Sequence, residues 1–360
     1  MKIRLKAKSF LQVYRNRFVG VFAILLMIAC QQKETSNGDA SSSADSHRKA
    51  VEQKKAPETK TTPDSRSIEQ LLRDARRYVK AENYQEARFA AQKVFRKDSS
   101  VAEAYEIYGN IYYAINNTEK AKNQWQRCAK LDEQNIECRL NLAQLWIALN
   151  LTKKALEPLN TIIDKHPNEA RAYFYKGMVY RNGVKDTNRA LQYFQKAVDL
   201  KQDYYEALDL LAVTLANKGD TMAEYYYRRL IDIQPNNAET YYKLGVYYME
   251  RNQINRALEA YTQATQINPR HADSYYNMGY MMIELREFSD AKKYFTQSIN
   301  AQGKNYKAYY GRGYAREMLG DVMNAEKDYK QVLEWVPNYP PARNGLQRLK
   351  NIEEQSKQLR

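Results

Sequence analysis

The chain of 360 residues carries a formal net charge of +15 and contains 31 tyrosines, but only three histidines and three cysteines. Six of its basic residues lie in residues 1–29, where no acidic residue occurs, so the remainder carries +9 interleaved with many Asp and Glu. This distribution is typical of a solvated protein surface with a moderate excess of positive charge. It argues against nucleic-acid binding, which needs clustered positive charge.

Residues 1–29 have the organisation of an export signal. A basic leader precedes the apolar run from Phe18 to Ala29, which is too short to span a bilayer because spanning takes about 20 residues. The run ends at Cys30, immediately before the polar Gln31. This junction resembles the lipobox of bacterial lipoproteins. The alternative is an ordinary cleaved signal followed by a coincidental cysteine.

The lipobox resemblance implies that Cys30 is acylated and becomes the mature N-terminus, so that the membrane is a permanent partner through a lipid anchor. Gln31 after the cysteine favours the outer membrane in many Gram-negative bacteria. We therefore expect a lipid-anchored protein of the bacterial cell envelope that faces the periplasm. Residues 30–66 are polar and almost free of apolar side chains, which predicts a disordered tether.

A 34-residue pattern repeats along the rest of the chain. In residues 238–271 apolar side chains return at three- and four-residue steps, which predicts two amphipathic helices, and Pro269 ends the second. Gly245 and Ala257 permit a close contact between the two helices. The same pair recurs one period later as Gly279 and Ala291, and again as Gly313 and Ala325.

This spacing and these residue types resemble the tetratricopeptide repeat (TPR). The resemblance implies an all-α fold, a right-handed superhelical solenoid of about eight helix-turn-helix repeats with a C-terminal capping helix at 340–360. The fourth repeat has one extra residue in its turn. The predicted array covers 67–339, and its repeats are 68–101, 102–135, 136–169, 170–204, 205–237, 238–271, 272–305 and 306–339.

The sequence contains no recognisable catalytic or cofactor-binding motif. Its histidines, His47, His166 and His271, lie in the predicted tether and in inter-repeat turns, and no phosphate loop, metal-spaced cluster or nucleophile elbow occurs. We therefore expect no enzyme activity, no cofactor and no metal site. Cys128 and Cys138 either pair, as an oxidising compartment permits, or pack as buried thiols; their short separation across a tight turn favours the thiols.

The TPR resemblance also implies where partners bind. In TPR arrays the first helix of each repeat lines a groove through its second, fifth, ninth, twelfth and thirteenth positions. Transferred to this chain, these positions predict an exposed groove, whereas Tyr241, Tyr275 and Tyr309 are assigned to the core. The predicted groove residues are Phe174, Met178, Tyr242, Val246, Met249, Tyr276, Tyr280, Ile283, Tyr310 and Tyr314, with the acidic Glu250 and Glu284.

Charge is unevenly distributed along this predicted groove, because acids dominate its C-terminal half and bases its N-terminal half. We expect a protein segment with apolar anchors to bind there, its basic end lying towards repeats six to eight. The further acids are Glu239, Asp273 and Glu317, and the bases are Arg76, Lys80, Arg171 and Arg181.

Together these features predict a membrane-anchored TPR scaffold or adaptor that takes part in assembling an envelope complex. Its expected partners are envelope proteins or peptide segments, with self-association as a further option and no nucleic acid. The alternative from another functional class is a protein that binds a glycan or peptidoglycan strand along the same tyrosine-rich groove.

Overall fold

A computed structural model describes residues 64–358, with side chains described as far as residue 355. Within this range the chain forms seventeen α-helices and one π-helical turn, and no strand. The fold is therefore all-α, as the sequence predicts. The predicted signal peptide, Cys30 and the tether as far as residue 63 lie outside the described residues.

The chain divides into two compact units, unit 1 up to Leu151 and unit 2 from Thr152. Unit 1 contains α1 Ile68–Lys80, α2 Tyr84–Lys97, α3 Ala102–Ala114, α4 Thr118–Leu131 and α5 Ile136–Ala148. Unit 2 contains α6 Thr152–Lys165, α7 Ala170–Met178, α8 Thr187–Leu200, α9 Tyr205–Lys218, α10 Met222–Ile233, α11 Ala238–Glu250, α12 Ile254–Ile267, α13 Ala272–Glu284, α14 Phe288–Ala301, α15 Tyr306–Met318, α16 Val322–Trp335 and α17 Pro340–Gln358.

Asparagine side chains define the starts of several helices. The side-chain oxygens of Asn117, Asn135 and Asn305 each accept a hydrogen bond from the backbone N–H three residues later, at 3.1, 3.0 and 3.2 Å. These bonds satisfy backbone donors that have no partner within the first helical turn. Each of these asparagines therefore stabilises the start of the helix that follows it.

The turn inside each helix pair contains one residue in the left-handed backbone region. Glycine and asparagine adopt this conformation at little cost, and it lets the chain reverse at the end of a helix. It falls at the fifteenth position of most repeats, so the turn is repeated along with the helices. The residues are Glu82, Asn116, Asn150, Lys185, Gly219, Asn252, Arg286 and Gly320.

The extra residue of the fourth repeat is accommodated by a π-helical turn. After α7 the chain continues as a π-helix over Val179–Val184, and the left-handed residue follows at Lys185, one position later than in the other repeats. Gly183 packs so closely against Thr152 that a β-carbon there would collide with the threonine side chain. An insertion within a helix is commonly absorbed in this way.

In unit 1 a disulfide joins two neighbouring helix pairs. Cys128 on α4 and Cys138 on α5 are bonded, with their α-carbons 6.1 Å apart. Both are completely buried, beside Trp125 and Leu142. The expectation that the two cysteines pack as free thiols was therefore wrong. The first turn of α5 brings Cys138 back over the last turn of α4, a proximity that sequence separation does not reveal.

In unit 2, buried aromatic rings pack directly against glycines of neighbouring helices. Tyr261 on α12 lies against Gly245 on α11, and Phe295 on α14 lies against Gly279 on α13. Both rings are completely buried. Phe295 also meets Gly311 of the next helix pair, so one ring packs between two repeats. The Phe295 side chain therefore packs both within its own repeat and against the next one.

The last helix caps this stack. Pro340 and Pro341 occupy its first turn, where the missing N–H groups are not needed for helical hydrogen bonds. Ala342 and Leu349 are buried in the same cluster as Tyr329, whereas Ile352, which the sequence assigns to the same apolar stripe, is exposed. The packed part of the cap therefore ends before Ile352.

Among residues 64–358, none of the helices combines the length and the apolar character that crossing a bilayer requires.

We predict that Gly279→Leu destabilises the protein strongly, because a β-carbon at this position would lie 2.9 Å from the Phe295 ring and overpacking a core costs about 1–3 kcal/mol or more. The matched control is Gly303→Leu, since a β-carbon at Gly303 meets no atom within 4 Å. Thermal unfolding followed by circular dichroism measures both. Equal melting temperatures for the two variants would contradict the proposed packing.

Candidate binding face

The predicted groove residues lie on the first helices of consecutive helix pairs in unit 2. We call the surface of α7 with its π-helical continuation, α9, α11, α13 and α15 that carries their second, fifth, ninth, twelfth and thirteenth positions the first-helix face. Because the repeats are stacked in register, equivalent positions follow one another along this face. The predicted residues come from four of the five helices, and α9 contributes none.

Three of the predicted groove residues are buried. Phe174 is 8% exposed, Tyr242 6% and Tyr276 8%, so the expectation that their rings are exposed was wrong. The Tyr242 ring packs 5.9 Å from Tyr261 and 5.0 Å from the His271 ring at the start of the next pair, measured between centroids. These three side chains fill the seam between repeats and belong to the core.

The same contact recurs in the neighbouring repeats. Tyr276 lies 5.8 Å from Phe295, and Phe174 lies 5.1 Å from Tyr204 and 6.1 Å from Phe194. At the fifth position a side chain faces the second helix of its own pair and the start of the next pair at once. Because of these two contacts the ring is shielded from solvent. An assignment that considers only the groove lined by the first helices does not predict this burial.

The tyrosines that the sequence places in the core are more accessible than expected. Tyr241, Tyr275 and Tyr309 are only half-buried, which corrects their assignment. Tyr309 packs edge-on against Trp335 at 5.0 Å and lies beneath the guanidinium of Arg312 at 4.9 Å. The fourth position therefore lies at the edge of the packed seam, and in the fourth, sixth and seventh repeats the fifth position lies inside it.

The remaining predicted residues form an accessible strip on the first-helix face. Tyr280 is 42% exposed, and Glu250 and Glu284 are exposed as well. The carboxylate of Glu284 accepts a hydrogen bond from Tyr280, and burial together with that carboxylate raises the pKa of the tyrosine hydroxyl. The half-buried members of the strip are Met178, Val246, Met249, Ile283, Tyr310 and Tyr314.

At the C-terminal end the strip merges with the cap. The Tyr310 ring packs 5.8 Å from Tyr329 and 5.5 Å from Tyr339. Glu317, which the sequence places among the groove acids, is buried and forms a two-pronged ion pair with Arg348 of α17 at 2.6 and 2.7 Å. Its charge therefore fixes the cap and is not presented to a ligand.

The sequence predictions missed the contribution of α9. Asp209, at the fifth position of this helix, accepts hydrogen bonds from Lys243 of α11 at 2.7 and 2.9 Å. Both side chains are largely buried, so an ion pair stands where the neighbouring repeats place aromatic rings. The available signal was the break in the aromatic pattern at Asp209. Half-buried Val213 on the same helix extends the apolar strip.

The face contains no metal-binding arrangement. Across residues 64–358, no group of three or more His, Cys, Asp or Glu side chains is positioned to hold a metal ion. The described side chains instead offer aromatic and aliphatic contact area, exposed carboxylates and one internal ion pair. Such a surface is suited to non-covalent binding of an extended ligand.

We predict that Tyr276→Ala lowers the free energy of unfolding by about 3 kcal/mol, because it empties a buried aromatic site. Tyr280→Ala, one helical turn away on the same helix, should change it by less than about 0.5 kcal/mol. Denaturant unfolding of both variants measures the contrast. A Tyr276→Ala variant as stable as the wild type would indicate that the Tyr276 ring belongs to the accessible surface and not to the core.

Comparison with known proteins supports the repeat assignment. Residues 72–136 and 140–205 match the family model of the tetratricopeptide repeat. Residues 215–334 match the model of the middle TPR-like domain of cilia and flagella-associated protein 70. Neither model covers half of the chain by itself, but their matches run from the second helical turn of α1 into α16.

Among curated proteins, the chain is 26% identical over 165 residues to a probable UDP-N-acetylglucosamine–peptide N-acetylglucosaminyltransferase SPINDLY of Hordeum vulgare. It is 25% identical over 187 residues to the human protein O-mannosyl-transferase TMTC1. These matches cover 44% and 49% of this chain, but only 17% and 21% of the relatives. The similarity is thus confined to a small part of each relative.

Among solved structures, the C-terminal part of a TPR repeat-containing protein from Cytophaga hutchinsonii superposes with a TM-score of 0.57. The match covers 66% of this chain and 98% of that one, at 18% sequence identity. At this identity the likeness concerns the fold alone. With the family models and the helix pairs described above, it shows that this chain folds as an all-α tetratricopeptide-repeat solenoid.

Proposed function

We propose that the protein is a non-catalytic adaptor that binds a segment of a partner protein along the first-helix face of unit 2. The observation that carries this proposal is the accessible strip from Met178 to Tyr314, which continues through consecutive repeats. TPR solenoids act as protein-interaction scaffolds, and stacked repeats create extended binding surfaces. A linear segment of a partner protein could contact several side chains of this strip in succession.

The chemistry of the strip defines what it can bind. Met249, Ile283 and Tyr280 supply apolar and amphipathic contact area, and tyrosine is enriched at the centres of protein interfaces. Glu250 and Glu284 place negative charge along the same strip. We therefore propose a partner segment with apolar anchors and a basic end that lies towards α11 and α13.

We further propose that the protein acts in the bacterial envelope, tethered to a membrane through lipid on Cys30. The sequence motif at residues 18–30 supports the export and lipidation. The Cys128–Cys138 disulfide of unit 1 supports an oxidising compartment, since structural disulfides persist outside the reducing cytosol. In such a setting the adaptor would hold its partner near the membrane and assist the assembly of an envelope complex.

A glycan or peptidoglycan strand is the second candidate ligand. The exposed Tyr280 ring favours a glycan ligand, because an open aromatic face can stack on a sugar ring. The exposed carboxylates and the half-buried aliphatic side chains beside it favour a peptide instead. Protease treatment of the bound material distinguishes the two, because only a protein ligand is destroyed.

We predict that Tyr280→Ala loses most of the partner captured by crosslinking in intact cells that express the full chain. The reason is that Tyr280 is the most exposed aromatic side chain of the strip. Tyr225→Ala is the matched control, because Tyr225 is 51% exposed but lies on α10, a second helix. If both variants capture the same proteins as the wild type, the contacts lie elsewhere and the first-helix face is not the binding surface.

For the anchor, we predict that the full chain partitions into the detergent phase of a Triton X-114 separation and that Cys30→Ser moves it to the aqueous phase. The physical reason is that each buried acyl methylene contributes about 0.8 kcal/mol to membrane attachment. Mass spectrometry of the mature N-terminus is the second measurement. A wild-type protein in the aqueous phase, or one that begins after residue 30, would refute lipidation.

A further inference from the structure

An arginine on the first-helix face lacks a complete set of partners. Arg181 lies in the π-helical turn Val179–Val184 of the fourth repeat, one helical turn beyond Met178. Its side chain is partly buried, and its Nη1 atom has no hydrogen-bond partner among the described residues. A guanidinium withdrawn from water without full compensation destabilises the free protein.

The nearest acidic group does not neutralise this charge. Asp209 attracts Arg181 electrostatically, but its carboxylate is already bound by the Lys243 ammonium at 2.7 and 2.9 Å. The dominant influence on Arg181 is burial, which lowers the pKa of its guanidinium. The group of Arg181, Asp209 and Lys243 therefore carries one net positive charge on the first-helix face.

The backbone at this position is also unusual. Arg181 is part of the only helical segment among residues 64–358 that adopts π-helical geometry. Such turns are often found at functional sites, where an inserted residue re-aims a neighbouring side chain. Gly183 of the same turn packs closely against Thr152. The position of the arginine thus results from a packed feature of the fold, not from a freely moving loop.

We propose that Arg181 binds the side-chain carboxylate of an Asp or Glu in the partner segment that occupies the first-helix face. This inference rests on the proposed function, which places a protein segment on that face. A carboxylate complements a guanidinium through charge-assisted, two-pronged hydrogen bonds. Such a pair would compensate the net positive charge of Arg181, Asp209 and Lys243.

The remaining charges of the face set the direction of the segment. Glu250 on α11 is exposed and takes part in none of the ion pairs found among the described residues. Glu284 follows on α13, one repeat further along. The partner segment therefore has an acidic residue over the fourth repeat and basic residues over the sixth and seventh, with apolar side chains between them.

The test uses synthetic peptides that are acetylated and amidated, so that they carry no terminal charge. Each has leucine anchors, lysines at one end, and Glu, Gln or Lys at one position near the other end, with the remaining positions varied. Binding to the full chain is measured by fluorescence anisotropy. The protein variants are Arg181→Gln and, as the control, Arg270→Gln, which removes the same charge from an exposed inter-repeat turn.

We expect the wild type and Arg270→Gln to bind the Glu peptides about tenfold or more tightly than their Gln counterparts. Arg181→Gln should lose this preference but keep the binding that depends on leucine. If the wild type binds Glu and Gln peptides equally, or if Arg181→Gln keeps the preference, the inference fails while the proposed function stands. If no peptide binds, both fail.

Two further measurements complete the test. Peptides with a free C-terminus that bind more tightly than their amides, only when Arg181 is present, would assign the site to a chain terminus and overturn the side-chain assignment. Thermal unfolding of Arg181→Gln should occur at or above the wild-type temperature, because the variant removes an uncompensated buried charge. A clear decrease would show that Arg181 stabilises the free fold and would contradict the incompletely compensated charge on which the inference rests.

Discussion

The close approach of a glycine and an aromatic ring is the contact on which the rest of this fold depends. Trp125 packs on Gly109 in unit 1, and in unit 2 Phe194 packs on Gly177 and Tyr329 on Gly313. Without a β-carbon on the first helix, the ring of the second helix can approach its backbone closely. A helix pair joined in this way leaves the other edge of the ring available for the element that follows, as where Gly345 of the capping helix meets Tyr329.

This stacking determines which side chains are left for binding. The fifth position of the first helix contributes to the same seam, so Tyr242 and Tyr276 stabilise the array and are withdrawn from ligands. The accessible surface is narrower than a count of tyrosines indicates. It consists of the well-exposed ring of Tyr280, the half-buried rings of Tyr310 and Tyr314, a row of half-buried apolar side chains, and two exposed carboxylates. Tyrosine is amphipathic, so its abundance serves the core and the surface alike.

Charges within the array follow a second rule. Acidic side chains that are buried within the array are paired with basic ones. Asp209 pairs with Lys243, and Asp328, which is almost completely buried, pairs with both Arg312 and Arg316 at 2.7 and 2.6 Å. Burying one charge without its partner is costly, which is why these groups occur together. Against this background, Arg181 is notable because its nearest acid is already engaged.

The sequence by itself determined the features that depend on local periodicity. The 34-residue period, the helix pairs, the glycine and alanine contact positions and the extra residue of the fourth repeat are all local patterns, because each reflects how one helix presents an apolar stripe. The small residue at the eighth position can be recognised in the sequence without knowledge of what packs against it, since only a small residue is tolerated there. The all-α solenoid could therefore be predicted from the chain alone.

Only the tertiary structure decided which of two adjacent residues is buried. Tyr241 and Tyr242, or Tyr275 and Tyr276, differ by about 100° around the helix, and a first helix in a solenoid contacts both its own second helix and the next repeat. An amphipathic pattern marks an apolar side but does not say which neighbour covers it. The Cys128–Cys138 bond, the Glu317–Arg348 pair and the incompletely satisfied Arg181 depend on that same inter-repeat geometry, so no linear pattern could specify them.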